Sequence, residues 1–105
     1  MLTCPECCYV TLQKAKGNLL KCEFCGTTFN LDKLRNVLNS LVGRQFQEDF
    51  IDELLGGAKP EPFPKLGERA WKWTGKHDIL YTFDMGNGWH LVIKGKNLIT
   101  NQSTS

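Results

Sequence analysis

Four cysteines carry the clearest chemistry in this chain. Cys4-Pro5-Glu6-Cys7 and Cys22-Glu23-Phe24-Cys25 are two Cys-x-x-Cys pairs separated by fourteen residues. Such pairs bind zinc, because each forms a tight knuckle and two knuckles bring four thiolates to the corners of a tetrahedron. The expected ligands are therefore Cys4, Cys7, Cys22 and Cys25, holding one structural Zn²⁺. Four thiolates leave no open position for water, so the metal is not expected to be catalytic. The His-x-Glu element of zinc deaminases is also absent. A pair of disulfides is the competing reading. The odd fifth cysteine, Cys8, and the lack of a basic and apolar leader in residues 1–20 argue against it.

The segments that must position these thiols read as short strands. Tyr9 to Gln13 alternates like a strand, Lys14 to Asn18 like a turn, and Leu19 to Lys21 like the returning strand. Gly26 follows the second knuckle, where a positive φ is often required, and Thr27 to Phe29 supplies a third strand.

The quoted segments Met1-Leu2-Thr3-Cys4-Pro5-Glu6-Cys7 and Cys22-Glu23-Phe24-Cys25-Gly26-Thr27-Thr28-Phe29 resemble the zinc-ribbon family, in particular short bacterial ribbons of the form Cys-Pro-x-Cys … Cys-x-x-Cys-Gly. The resemblance covers about the first thirty residues. It departs at Cys8, where the first knuckle of a ribbon usually carries a turn residue. Ribbons of this kind serve in transcription, translation and nucleic-acid machinery and as protein-contact modules, and the resemblance does not choose between these roles.

Downstream, Asn30 is a helix N-cap and Asp32 suits the positive end of a helix. Leu34, Leu38, Leu41 and Val42 recur at helical spacing, and the stripe resumes at Phe46, Phe50, Ile51, Leu54 and Leu55. Residues 31–57 are expected to form an amphipathic helix or helical hairpin broken or kinked at Gly43 and ended by Gly56-Gly57. Glu48, Asp49, Asp52 and Glu53 would then line the polar face near the helix C-terminus. They form a solvated face or, at Glu48 and Asp52, a contact for a basic partner.

Residues 58–68 read as a proline-rich linker, extended at about 3.1 Å per residue. Residues 69–101 read as an antiparallel meander: Ala70 to Thr74, Ile79 to Asp84 and Trp89 to Ile93, with Asn87-Gly88 closing a hairpin. Gly95 to Asn97 is expected to turn into a fourth strand, Leu98 to Thr100, before a polar tail, 102–105. Closing the hairpin at Asn87-Gly88 puts Leu80, Thr82, Asp84, Trp89, Leu91 and Ile93 on one face and Ile79, Tyr81, Phe83, His90 and Val92 on the other. Both faces are largely apolar, so each needs a cover or a partner. The fold class expected is α+β.

Composition bounds the function. The chain has 105 residues, net charge +2 and ordinary apolar content, which does not suit a strong nucleic-acid binder. No run approaches the roughly 20 apolar residues of a membrane span. Thiolate cysteines suit a reducing compartment, and the cytoplasm is the expected location. His77 reads as solvated and His90 as a packed strand histidine. With Asp84 and Glu68 these are the only candidates for catalysis, and their spacing assembles no catalytic constellation, so no enzyme is expected. Trp71, Trp73, Tyr81, Phe83 and Trp89, with Lys72, Lys76, Lys94 and Lys96 nearby, build a core, a protein-contact patch or a base-stacking platform. The expected function is protein–protein regulation, as an adaptor or inhibitor of a larger complex. Nucleic-acid binding is the alternative, and a homodimer is a further candidate.

Overall fold

The computed structural model describes residues 3–6, 12–14 and 19–97. Two antiparallel sheets carry the chain, with two short helices between them. In the smaller sheet β1 (Gln13–Lys14) pairs with β2 (Leu19–Lys21), and β2 with β3 (Thr28–Asn30). The strands expected around the second knuckle are thus present, shifted by one residue at β3, and of the expected first strand the structure shows Gln13, extended by Lys14, a residue expected in the turn. Residues 9–11 of the expected first strand lie outside the described residues, as do the expected strand 98–100 and the tail.

Asn30 caps the first helix as its side chain predicts. Its Oδ1 accepts the Lys33 N–H at 3.2 Å, and α1 runs Leu31–Asn36. The long helical stripe then breaks into separate pieces. A 3₁₀ turn, Leu38–Leu41, buries Leu38 and Leu41, while Val42 turns outward, 47% exposed. Gly43 has φ +90°, a conformation that ends the helix and directs Arg44 into pairing with Val92. Residues Gln45–Gln47 form a strand, β4, and Glu48–Leu54 form α2. Phe46 therefore belongs to a strand. It shared the helical phase with Phe50 because both must reach the same core. Arg35 of α1 ties the helices together by donating to the carbonyls of Leu54 and Glu53, where a cation suits the C-terminal end of α2.

The larger sheet has five strands in the order β4-β8-β7-β6-β5, with β5 Lys59–Pro62, β6 Ala70–Thr74, β7 Asp78–Gly86 and β8 Trp89–Asn97. Two sequence expectations are corrected here. The proline-rich stretch is not an unpaired spacer, because Lys59–Pro62 pairs with β6. Phe63 N–H continues that ladder onto the Ala70 carbonyl at 2.9 Å. The inward hydrogen-bonding positions are thus 59, 61 and 63, and Pro60 and Pro62 face outward, where no N–H is needed. An edge strand so built resists pairing with another chain. Nor is Gly95 a turn residue: β8 runs through it. A Cβ there would sit 2.6 Å from Leu38 Cβ, so glycine lets the 3₁₀ turn lie directly on the strand.

The third correction concerns the faces of the hairpin. The turn closes on Asn87-Gly88, with Gly86 opposite Trp89. Met85 then bulges out of β7, so Asp84 pairs with His90, Phe83 with Leu91 and Thr82 with Val92. A second bulge, at Ile93, restores the register, with Tyr81 opposite Lys94. Between the bulges the pairing is slipped by one residue, which exchanges the faces of one strand relative to the other. His90 and Val92 consequently share the inner face with Leu80, Thr82, Trp73 and Phe46, all buried. Ile79, Tyr81, Phe83, Leu91 and Trp89 lie half-buried on the outer face.

The core lies between the inner face and the helices. Phe46 and Phe50 stack at 5.0 Å between centroids, and Phe29 of the small sheet meets Phe50 edge-on at 5.4 Å. Phe50 thereby joins the two sheets in one cluster with Leu20, Leu31, Leu54, Leu80 and Val92.

Candidate metal centre and sheet surfaces

The second knuckle is a tight hydrogen-bonded turn. Cys22 N–H donates to the Thr27 carbonyl and Gly26 N–H to the Cys22 carbonyl, both at 2.9 Å. Cys25 N–H points at Cys22 Sγ from 3.5 Å. Gly26 has φ +76°, the conformation for which its glycine was singled out. Cys4 and Cys22 are fully buried and Cys25 is exposed.

The thiols of Cys4, Cys22 and Cys25 all lie within 4.8 Å of one another, and Cys4 Sγ is 3.8 Å from Cys25 Sγ. Sulfurs about 2.3 Å from a tetrahedral zinc ion sit about 3.8 Å apart, the edge of the tetrahedron. The three thiols therefore fit three corners around a metal ion. Cys7, the expected fourth ligand, and Cys8 lie outside the described residues.

The electrostatics at Cys25 suit a ligand. The Thr27 hydroxyl, 3.1 Å from Cys25 Sγ, and the Thr27 backbone together hold this thiol well below its ordinary value, at about 6. Hydrogen bonds to the charged form favour that form, and a metal binds the thiolate.

The first knuckle is tied to the larger sheet. Glu6 pairs with Arg44 at 2.9 Å, and the Arg44 guanidinium lies 5.3 Å from the Phe46 ring centroid. Beside this pair is an open cleft of about 430 Å³ lined by Pro5, Glu6, Gly43, Arg44, Gln45 and Trp89.

A second polar cluster is buried under the sheet. The Trp73 indole N–H donates to Thr82 Oγ1 at 3.0 Å, and Thr82 Oγ1 is 3.1 Å from His90 Nδ1. His90 Nε2 is 3.1 Å from Glu48 Oε2. The directions follow from the donors. The indole can only donate and the ionised Glu48 carboxylate can only accept, so Nε2–H donates to Glu48 and, in the neutral imidazole, Nδ1 accepts from the Thr82 hydroxyl. The order Thr–His–Glu has the connectivity of a nucleophile, base and orienting acid. Its hydroxyl, however, is fully buried and already accepts the indole N–H. As placed, the cluster satisfies a buried histidine and indole. It depends on the bulges: without them Thr82 and His90 would lie on opposite faces.

The remaining sequence candidates separate. Trp73 is buried, and Trp71 packs against the same core, so Trp73 is a core residue and not a contact surface. Tyr81, Phe83 and Trp89 reach the outer face. The acidic residues are largely engaged within the fold. Glu48 and Asp49 occupy the first turn of α2, where they favour the helix dipole. They are therefore not at its C-terminal end, as expected from sequence. Asp52 Oδ1 accepts the Ala58 N–H at 2.9 Å. Asp84 lies opposite His90 in the register, but its Oδ1 accepts the Gly86 N–H. His77 and Glu68 are exposed.

Sequence reasoning missed Asp78. It is buried with Oδ1 unpartnered, and burial raises its carboxyl above the ordinary range, opposed by Arg35 and His77. Its place beside a turn gave no sign of this. Among the described residues no helix is long and apolar enough to cross a membrane. Comparison with protein-family models, with curated proteins and with solved structures finds no match.

Proposed function

We propose that this chain is a zinc-templated, non-catalytic protein that works by binding a protein partner. The observation that carries the reading is the convergence of the Cys4, Cys22 and Cys25 thiols within 4.8 Å of one another, with Cys4 and Cys25 at 3.8 Å. Zinc suits an all-thiolate site. In this reading Cys7 is the fourth ligand, residues 1–30 are a zinc ribbon, and the ion is structural. It contributes on the order of 10 kcal/mol to folding a segment with little core of its own. The ribbon in turn holds Glu6 against Arg44 at the border of the larger sheet.

Binding rather than turnover is supported by the internal use of the titratable groups. His90, Glu48, Asp52 and Asp84 are each committed to a partner within the fold. A nucleic-acid target is the second reading, favoured by Lys72, Lys94 and Lys96 beside the outer aromatic side chains.

Native mass spectrometry before and after chelation tests the metal. One zinc per chain that leaves on chelation is the expected result. A chain purified under reducing conditions without metal, yet with a folded N-terminal segment, overturns the reading. Replacing Cys8 by serine is expected to leave the zinc in place.

A further inference from the structure

We infer that the outer face of the five-stranded sheet is the docking surface for a protein segment that carries apolar anchors between acidic side chains. This rests on reading the chain as a binding protein and identifies the surface and the chemistry of the partner.

The outer face has an apolar centre and a cationic border. Ile79, Tyr81, Phe83 and Leu91 occupy adjacent positions in the register of β7 and β8, all half-buried. Among the described residues, the stretch after β5 reaches over this face at one side, through Phe63 and Gly67, and Pro5 and Glu6 border it at Trp89. The helices and the 3₁₀ turn lie on the opposite, inner face. Lys59, Lys72, Lys94 and Lys96 fall on the outer face by register, with one acid among them, Glu61, opposite Lys72. An apolar centre flanked on both neighbouring strands by lysines, Lys72 on one and Lys94 and Lys96 on the other, is complementary to an apolar segment that carries acidic side chains.

Three other modes of binding fit less well. A second copy docked face to face would set lysines against lysines, because a two-fold contact repeats the same patch on both sides. Base stacking needs open ring faces. Phe63 instead lies 5.3 Å from Tyr81, tilted by 53°, and Lys72 Nζ sits over the Phe63 ring at 5.7 Å. The backbone at Gly67 approaches the edge of Phe83 so closely that a Cβ there would come within 3.3 Å of it. The rings thus offer edges and apolar area rather than platforms. Strand addition at β5 is disfavoured by the outward prolines. The occupant therefore lies across the face. Near Trp89 the face opens into the 430 Å³ cleft, which carries the charged side chains of Glu6 and Arg44.

The test is a titration of the zinc-loaded full chain, followed by backbone amide NMR, with a short synthetic peptide alternating aspartate with leucine and phenylalanine. Shifts are expected at Ile79, Tyr81, Leu91 and Lys94. The exposed double substitution Lys94→Glu with Lys96→Glu is expected to weaken binding about tenfold, as is Ile79→Ser, with zinc content and circular dichroism unchanged. A peptide that does not bind, or binds these variants equally well, overturns the inference. So does an oligothymidylate that binds the same face and displaces the peptide, or a dimer that Ile79→Ser dissolves. Zinc measured on the same sample separates the two levels. Missing zinc defeats the underlying reading, whereas bound zinc without peptide binding defeats only the docking surface.

Discussion

The two sheets of this chain are held together by different means. The smaller one has strands of two or three residues, and among the described residues its buried side chains are few: Leu12, Leu20 and Phe29, with Cys4 and Cys22. The larger one buries Phe46, Trp73, Leu80 and Val92 against Phe50, Ile51 and Leu54 of α2. In the proposed reading the smaller sheet depends on bonds that its thiolates make to a metal, whereas the larger depends on apolar area removed from water. A segment too small to bury a core needs a staple, and a segment that buries one does not.

The sharpest way to break the comparison is at the metal. Cys22→Ser is expected to abolish zinc binding and unfold the smaller sheet, a loss on the order of 10 kcal/mol, while the amide pattern of the larger sheet persists in the NMR spectrum. Acidification should act in the same direction. Protons compete with the metal for the thiolates, and the bound metal holds them deprotonated below the value of about 6 for the free Cys25 thiol, so zinc release followed by mass spectrometry should increase as pH falls below that value.

Phe50 comes next, because it touches both regions. Phe50→Ala removes the stack on Phe46 and the edge contact with Phe29. It should cost about 3–5 kcal/mol in urea unfolding and destabilise both sheets together. If only one responds, the shared core is misassigned.

Thr82→Val should affect the larger sheet alone. It leaves the Trp73 indole and His90 Nδ1 without their partner, at a cost of about 1–3 kcal/mol, with zinc content unchanged.

Asp78→Asn sharpens the comparison in the opposite direction. Burial raises the Asp78 carboxyl, so the folded state holds its proton more tightly than the unfolded chain, and stability is lost as pH rises through the raised value. The substitution is expected to raise the melting temperature at neutral pH, with the gain shrinking toward about pH 4. The smallest effect is at the junction. The half-exposed pair Glu6–Arg44 should give a coupling of about 0.2–1 kcal/mol in a double-mutant cycle.

Local chemistry made part of this structure legible in the sequence. The Cys-x-x-Cys spacing pointed to Cys4, Cys22 and Cys25 as thiols that meet, because a knuckle is a turn of four residues. Asn30 marked its cap, Gly43 its break, and Asn87-Gly88 its hairpin, since each acts on backbone within a few residues of itself. The apolar stripe also identified the buried residues Leu38, Leu41, Phe46, Phe50, Ile51, Leu54 and Leu55. It misplaced Phe46 in a helix and Val42 in the core, because a common phase records a common destination and not a common element.

What the tertiary structure decided depends on contacts between distant segments. The residues Lys59–Pro62 became a strand because β6 offered an edge whose hydrogen bonds fall on the non-proline positions. Gly95 stayed in a strand because Leu38, far away in sequence, lies on it. Trp73 went inward and Tyr81 outward by register, and the slip between Met85 and Ile93 placed His90 beside Thr82. A bulge is a one-residue choice, settled here by an arrangement that buries apolar side chains while giving the Trp73 indole and His90 their partners. The composition of a single strand carries no record of that balance, whereas the spacing of Cys4, Cys22 and Cys25 does record that their thiols can close on one point.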